Sequence, residues 1–364
     1  MALKVAIVGM PNVGKSTLFN ALTQTAQAQA ANYPFCTIEP NVGDVAVPES
    51  RLDALAKIAG SKEIIPARIN FVDVAGLVKG ASKGEGLGNQ FLANIRDCDA
   101  VAYVARCFVD DDITHVEGRI DPISDLEIIE TELMLADLES LEKRVPNLEK
   151  RARQDKESAN TLRLVNIALE QLNAGRPARA ADISKDDDKA WRMLQLLTAQ
   201  PALYVCNVEE GSADKGNAMS DLVAERAARD NANSVVISAQ IESEIAMLDP
   251  AERTEFLETL GLEEPGLNRL IHEAYKLLGL QTYFTVGPKE ARAWTIHVGD
   301  TAPQAAGVIH TDFEKGFIRA ETIAYDDYVA LGGENGAKDA GKMKAEGKEY
   351  IVKDGDVMHF RFNV

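Results

Sequence analysis

The chain has 364 residues and a formal net charge of −18. That length predicts about two or three domains, and the acidic balance argues against a general electrostatic affinity for nucleic acid, DNA included. No uninterrupted apolar stretch is long enough to cross a membrane. The four cysteines, Cys36, Cys98, Cys107 and Cys206, show no C-x-x-C spacing. Their distribution argues against structural zinc and a disulfide framework, and it favours a reducing cytoplasm.

An apolar run, residues 3–8, leads directly into Gly9-Met10-Pro11-Asn12-Val13-Gly14-Lys15-Ser16. This is the P-loop pattern G-x-x-x-x-G-K-[ST], placed between a predicted strand and a predicted helix. The glycines allow backbone N–H groups to cradle phosphate oxygens, and the helix that begins at Lys15 adds its positive dipole end. Lys15 is predicted to bind the β and γ phosphates, and Ser16 to bind Mg²⁺. The predicted nucleotide contacts of this segment are Asn12, Val13, Gly14, Lys15, Ser16 and Thr17.

Short β-branched runs alternate with helical patterns over much of the chain. The candidate strands are residues 3–8, 42–47, 67–73, 100–106, 202–207 and 234–238. Several of them are apolar almost throughout, as strands buried on both faces are. This alternation predicts an α/β fold with a mostly parallel, doubly wound sheet.

The alternation stops between residues 124 and 200, where two apolar stripes with helical spacing appear. The first stripe has the spacing of a coiled-coil seam and consists of Met134, Leu138, Leu141, Val145 and Leu148. Pro146 lies within it and is a candidate kink or division of the helix. A second stripe at residues 162–172 completes a predicted antiparallel helical hairpin inserted into the nucleotide-binding domain. Basic residues between 143 and 163 are a candidate RNA contact, although a solvated helix face explains them more simply.

From about residue 280 the pattern changes to paired strands, at 282–287, 293–298 and 357–362. The polar segments 332–336 and 338–348 have the composition of a mobile loop. We therefore expect a nucleotide-binding domain of residues 1–123 and 201–279, a helical arm of residues 124–200, and a small sheet-rich domain of residues 280–364.

Further segments have the order found in switch-type NTPases. Asp73 ends a predicted strand and is expected to hold Mg²⁺ through water. Thr37 is the natural second hydroxyl ligand of Mg²⁺, in a segment that the γ-phosphate would order. Ras-like enzymes place the glutamine that orients the attacking water where this chain has Leu77. Hydrolysis is therefore expected to be slow or to use another group.

The segment that would recognise the base differs from that of GTPases. GTPases end the relevant strand with Asn-Lys-x-Asp, whose aspartate accepts hydrogen bonds from guanine, whereas this chain has Asn207-Val208-Glu209-Glu210. The lysine is absent and the fourth side chain is one methylene longer, so selectivity for guanine should weaken and adenine becomes a candidate. A loop after the next strand could close over the base. The predicted contacts on this side are Asn207, Val208, Glu210, Ser238 and Ala239.

Together these motifs resemble the Obg-like ATPases of YchF type, which are translation-factor-related P-loop NTPases. The resemblance covers essentially the whole chain and depends on residues 9–16, 32–41, 73–77, 110–118 and 207–210. It implies a preference for ATP over GTP, an inserted helical arm, a C-terminal TGS domain of β-grasp type, and association with ribosomes. It also implies that Phe108 packs on adenine and that His115 activates water in place of the missing glutamine. Asn12 resembles the P-loop asparagine of relatives that K⁺ stimulates, which implies that K⁺ stimulates hydrolysis here.

The sequence thus predicts a Mg²⁺-dependent ATPase that hydrolyses ATP slowly and thereby times its binding to a partner such as the ribosome. Two alternatives stay open: a GTPase or unselective NTPase of the same fold, and a ribosome- or RNA-binding module that uses ATP only as a ligand. Phe108 could equally be an ordinary core residue, and His115 an ordinary loop histidine.

Overall fold

The computed structural model describes residues 3–30, 41–74, 87–110, 112–113 and 118–363. The chain divides into two compact units, one of Met1–Val45 and Asn70–Ala274 and the other of Ala46–Ile69 and Tyr275–Val364. Each unit is built around a six-stranded sheet. Among the described helices, none is long and apolar enough to cross a membrane.

The sheet of the first unit is the predicted doubly wound sheet. Its strands are β1 (Lys4–Gly9), β2 (Val42–Ala46), β4 (Arg68–Asp73), β5 (Ala100–Cys107), β6 (Ala202–Val208) and β7 (Asn233–Ile237), while β3 (Glu63–Ile65) belongs to the other sheet. The spatial order is β2-β4-β1-β5-β6-β7, and the strands from β4 to β7 pair in parallel. Each predicted strand agrees with an observed one to within one residue at either end, so the prediction is confirmed.

Burial explains why these runs form strands. The four residues from Val5 to Val8 have no exposed surface, and β5 and β6 are buried along their whole length. Strands buried on both faces need helices on both sides of the sheet. The connecting helices are α1 (Lys15–Ala30), α3 (Leu87–Arg96), α7 (Ala218–Arg229), α8 (Ala239–Ile245), α9 (Pro250–Thr259) and α10 (Gly266–Leu277). The carboxyl ends of the parallel strands therefore meet at one edge, where ligands of such sheets bind.

The helical arm follows β5. It consists of α4 (Pro122–Arg151), α5 (Lys156–Asn173) and the short α6 (Asp188–Arg192). Leu141 of α4 is buried in one cluster with Leu164 and Ala168 of α5, and the short connection 152–155 makes the two helices antiparallel. Pro146 lies inside α4, so the helix is not divided there. The predicted hairpin is confirmed.

Two arginines converge on one buried glutamate near the start of α4. Glu130 forms ion pairs with Arg179 and with Arg226 of α7. The Tyr204 hydroxyl, from the middle of β6, donates a hydrogen bond to Glu130 Oε1 at 3.0 Å. Buried charges are tolerated only when they are paired in this way. This cluster, which we call the Glu130 cluster, ties the arm to β6 and α7.

The second unit is a mixed sheet with a helix packed on one face. Its elements are α2 (Ser50–Ala59), β3, β8 (Leu280–Val286), β9 (Glu290–His297), α11 (Ala302–Ile309), α12 (Thr311–Lys315), β10 (Phe317–Ala324), α13 (Tyr325–Ala330), α14 (Glu334–Asp339), β11 (Lys344–Glu346) and β12 (Asp356–Phe362). The strand order is β11-β10-β12-β8-β9-β3. Tyr283 and Phe360 bury their rings against Ala302 and Ala306 of α11. A mixed sheet that clasps one helix is the arrangement of a β-grasp domain.

Two features of this unit differ from the sequence predictions. Residues 46–69 belong to it rather than to the nucleotide-binding domain, because Ile64 of β3 pairs with Ala291 of β9 in parallel. Such a pairing joins segments more than 200 residues apart and has no local signature. The expectation of a loop over 332–336 and 338–348 was wrong in two places, since α14 runs through Glu334–Asp339 and β11 pairs with β10.

The Glu130 cluster makes a prediction about stability. Glu130→Ala should lower the free energy of unfolding of the first unit by about 3–5 kcal/mol, because two largely buried guanidinium groups lose their shared partner. Urea denaturation followed by circular dichroism measures the change.

The matched control is Glu139→Ala, on the same helix. Glu139 forms an exposed i,i+4 pair with Lys143, which should contribute at most about 0.5 kcal/mol. Equal losses for the two variants would contradict the assignment of the Glu130 cluster as a structural tie.

Candidate nucleotide-binding site

A cavity of about 970 Å³ lies at the carboxyl edge of the parallel sheet. Its walls come from the loop after β1, the segment after β5, the segment after β6 and the start of α8. All the predicted nucleotide-binding residues except Val13 line it. The volume is at the upper end of the range of small-molecule sites. The structure thus gathers into one cavity residues that are up to 230 positions apart in the sequence, from Met10 to Gln240.

The loop between β1 and α1 has the backbone conformation that a phosphate cradle needs. Gly14 has φ +88°, and a Cβ at this position would collide with the side-chain amide of Asn207. Asn12 also has a positive φ, of 63°, which asparagine tolerates better than most residues. Lys15 opens α1, so the N-terminus of this helix faces the cavity. Both features favour an anionic ligand there.

Asn207 connects two walls of the cavity. Its side chain is almost fully buried, and Nδ2 donates to the carbonyl of Val13 at 2.9 Å. The Oδ1 atom accepts from the backbone N–H of Ala239, also at 2.9 Å. The side chain therefore fixes the P-loop against the segment that begins α8. Val13 does not line the cavity, but its backbone carbonyl accepts the hydrogen bond from Asn207 that holds the P-loop in place.

The charged groups expected at the phosphates lie together. Lys15 forms a partly buried ion pair with Asp73, the last residue of β4. Ser16 is exposed and lines the cavity. Hydroxyl and carboxylate oxygens are ligands that Mg²⁺ prefers, so Ser16 and Asp73 fit the proposed metal. The third predicted ligand, Thr37, lies outside the described residues, as does His115.

On the base side, the two adjacent glutamates have different environments. Glu209 accepts hydrogen bonds from Ser212 Oγ and Asn217 Nδ2. Burial opposes ionisation of this carboxyl, but these hydrogen bonds outweigh it and lower the pKa of Glu209. Glu209 and Glu210 are both exposed and both line the cavity. Because Ser212 and Asn217 already engage the carboxylate of Glu209, Glu210 is the better placed of the two to meet a base.

Phe108 follows β5 and contributes to the cavity wall. The guanidinium of Arg106 lies over its ring, 4.6 Å from the ring centroid. The sequence analysis did not single out Arg106. The one sequence feature that could have identified Arg106 is that it is the only charged residue in the apolar strand Ala100–Cys107. Its burial follows only from the tertiary structure.

Comparison with known proteins agrees with this geometry. Residues 4–136 match the family model described as "50S ribosome-binding GTPase", and residues 280–363 match the model YchF-GTPase_C, described as a protein of unknown function. A protein of Haemophilus influenzae called "Ribosome-binding ATPase YchF" is 58% identical over 365 residues, covering 100% of both chains. The relative of that name in Bacillus subtilis is 54% identical over 367 residues, also with full coverage of both.

The chain belongs to the YchF family. The solved structure of the Schizosaccharomyces pombe YchF GTPase has a TM-score of 0.88 and 38% sequence identity, and the match covers 99% of this chain and 97% of that one. The α/β fold with a P-loop domain and a separate C-terminal domain is thus a family fold. The names of these relatives differ: the bacterial proteins are called ATPases and the fission-yeast protein a GTPase. Membership of the family therefore does not decide between ATP and GTP, and the choice of base has to be inferred from the residues of this chain.

The position of Asn207 leads to a prediction. Asn207→Ala should lower affinity for ATP and for GTP alike, about 10- to 100-fold, because the Val13 carbonyl and the Ala239 N–H lose their buried partners. Competition binding measures both affinities. The control is Asn166→Ala, at an exposed position of α5, which should bind as the unmodified protein does. Unchanged affinity in Asn207→Ala would contradict the role of this side chain in holding the site together.

Proposed function

We propose that this protein is a Mg²⁺-dependent P-loop ATPase that prefers ATP to GTP, hydrolyses it slowly and associates with the ribosome. The observation that carries the proposal is the cavity in which the P-loop, Lys15 and the segment Asn207–Glu210 converge. Relatives that are 54–58% identical over their full length bear the name ribosome-binding ATPase. Both the chemistry of the site and membership of the family support the proposal.

Hydrolysis follows from the arrangement of charges around the phosphates. Lys15 and the backbone N–H groups of the P-loop stabilise the charge that develops when water attacks the γ-phosphorus in line. For Lys15 to reach the phosphates, its ion pair with Asp73 must give way. Asp73 is then available to the hydration shell of Mg²⁺. His115 is the residue that we propose to orient the attacking water, since Leu77 cannot do so.

The preference for adenine follows from what the base meets. Guanine specificity in GTPases depends on an aspartate that accepts from N1–H and the exocyclic amine, and on a lysine at the second position. Here Glu210 is longer than that aspartate, and Val208 cannot supply the lysine's ammonium group. Adenine has only its N6 amine to donate to a carboxylate, so it depends less on the position of that side chain than guanine does. The ring of Phe108 can stack on either base. We therefore assign the preference to ATP.

Two cations belong to this proposal. Ser16, Thr37 and Asp73 would hold Mg²⁺ on the protein side, and the ion would supply positive charge to neutralise the phosphates. Among the described residues, no three His, Cys, Asp or Glu side chains cluster into a metal site, which fits a metal held largely by phosphates and water. K⁺ near Asn12 would add positive charge in place of an arginine finger.

The proposed partner is the ribosome, as the names of the family models and relatives suggest. Association with the ribosome supports a cytoplasmic location, which is part of the proposal. The net charge of −18 makes a local rather than a global electrostatic contact necessary. The basic residues of α4 and α5 between 143 and 163 are the candidate for this contact.

Base preference can be tested by competition. Unlabelled ATP should displace a fluorescent nucleotide from the protein at a concentration at least about 10-fold lower than GTP does. The double variant Val208→Lys with Glu210→Asp should narrow or reverse this ratio, because it restores the residue types that recognise guanine. Equal displacement by both nucleotides from the unmodified protein would favour the alternative of an unselective NTPase.

The enzymatic part of the proposal predicts two different kinetic defects. Lys15→Ala should reduce phosphate release from ATP by at least about 100-fold, because transition-state charge is no longer stabilised. His115→Ala should lower kcat but leave the Kd for ATP within about 2-fold. Phosphate release in Mg²⁺ buffer, with K⁺ or Na⁺ as the monovalent ion, measures both effects.

Lys143→Ala, at an exposed position of the arm, is the matched lysine control and should hydrolyse ATP normally. Tight ATP binding without turnover in the unmodified protein would favour the alternative of a binding module that uses ATP as a ligand.

A further inference from the structure

Arg106 is the largest side chain with almost no exposed surface in the described chain. It occupies the second-last position of β5, between Ala105 and Cys107, which are also completely buried. An arginine is rarely buried to this extent unless all its donors are used. The proposed chemistry of hydrolysis makes no use of this residue, so its burial calls for another explanation.

The guanidinium group binds the main chain of the segment that follows it. Nε donates to the carbonyl of Phe108 at 3.3 Å, Nη2 to that of Asp110 at 3.1 Å, and Nη1 to that of Ile113 at 3.0 Å. Because the guanidinium is planar and rigid, three acceptors spread over six residues are held in one fixed arrangement. Lysine could not reproduce this fork, since its ammonium is a single point on a flexible chain.

The same guanidinium supports the ring of Phe108. It lies over the ring at 4.6 Å from the centroid, within the range of a cation–π contact. Phe108 is half-buried and lines the cavity together with Asp110 and Ile113, the two other residues whose carbonyls Arg106 binds. Arg106 thus fixes the backbone at Phe108 and after it, and its guanidinium covers one face of the ring.

We propose that Arg106 is the positioning residue that holds Phe108 as a stacking platform for the nucleotide base. This inference rests on the proposed function, in which the cavity binds a nucleoside triphosphate. Arg106 does not touch the nucleotide; it acts through Phe108. Since every base has a π-face, the platform adds affinity for any base, and the choice between adenine and guanine is made elsewhere in the site.

The proposal separates base affinity from phosphate affinity. Arg106→Met keeps the length of the side chain but removes every donor. It should weaken binding of ATP and of GTP by a similar factor of about 10, and the ratio between the two should stay constant. Inorganic tripolyphosphate presents phosphates without a base, and its affinity should stay within about 2-fold. General damage to the P-loop would lower all three affinities together.

The experiment is a double-mutant cycle in the full-length protein. Dissociation constants for ATP, GTP and tripolyphosphate are measured by competition for the unmodified protein, Arg106→Met, Phe108→Ala and the double variant. If Arg106 acts through Phe108, the double variant should bind ATP no more than about 2-fold more weakly than Phe108→Ala alone. Arg192→Met, at an exposed position of α6, is the matched control and should change none of the constants.

Three results would overturn this inference but leave the proposed function intact. The first is a double variant whose loss of ATP affinity equals the product of the two single losses. The others are a loss of tripolyphosphate affinity in Arg106→Met as large as its loss of ATP affinity, and an unchanged affinity for ATP in Phe108→Ala. If the unmodified protein failed to bind ATP, the proposed function would fall and the inference with it. Should Arg106→Met not fold, Arg106→Lys takes its place in the cycle. It keeps the charge, and it should show the same base-dependent loss because the planar fork is absent.

Discussion

The site depends on one buried amide, the side chain of Asn207. A strand end, a phosphate loop and a helix start come from three distant parts of the chain, and each has backbone groups that must find partners once water is excluded. Asn207 offers one donor and one acceptor, and it uses them on Val13 and Ala239. Gly14 has no side chain because that space is filled by the amide. The conformation of the P-loop therefore depends on having an asparagine at position 207 and a glycine at position 14.

Arg106 and Asn207 perform related tasks on adjacent strands. The two residues pair in register across β5 and β6, and each uses its side chain to bind the main chain of a neighbouring loop. Arg106 arranges the segment that carries Phe108, and Asn207 arranges the phosphate loop. A polar side chain at the carboxyl end of a buried strand can do this because its donors reach out of the sheet while its backbone remains in the ladder. Ligand-facing loops are thereby held by the rigid sheet below them.

The Glu130 cluster extends the same principle to the arm. Tyr204 lies on β6 three residues before Asn207, and its hydroxyl bonds to Glu130 of α4. One strand thus carries both a contact to the arm and the residue that holds the phosphate loop.

The sequence by itself determined the parts whose signals are local. Gly9–Ser16 between an apolar run and a helix, Asp73 at a strand end and Asn207–Glu210 after another were sufficient to predict the P-loop fold, the residues of the cavity and the family. The apolar stripes at residues 134–172 likewise predicted the hairpin, because helical periodicity is visible in residues that are only three or four positions apart in the sequence. Only the tertiary structure decided that residues 46–69 join the C-terminal sheet, that Asn217 binds the carboxylate of Glu209, and that Arg106 is buried beneath Phe108. Pairing across a sheet and burial of a charge depend on which segments meet in space, and no local pattern of residues carries that information.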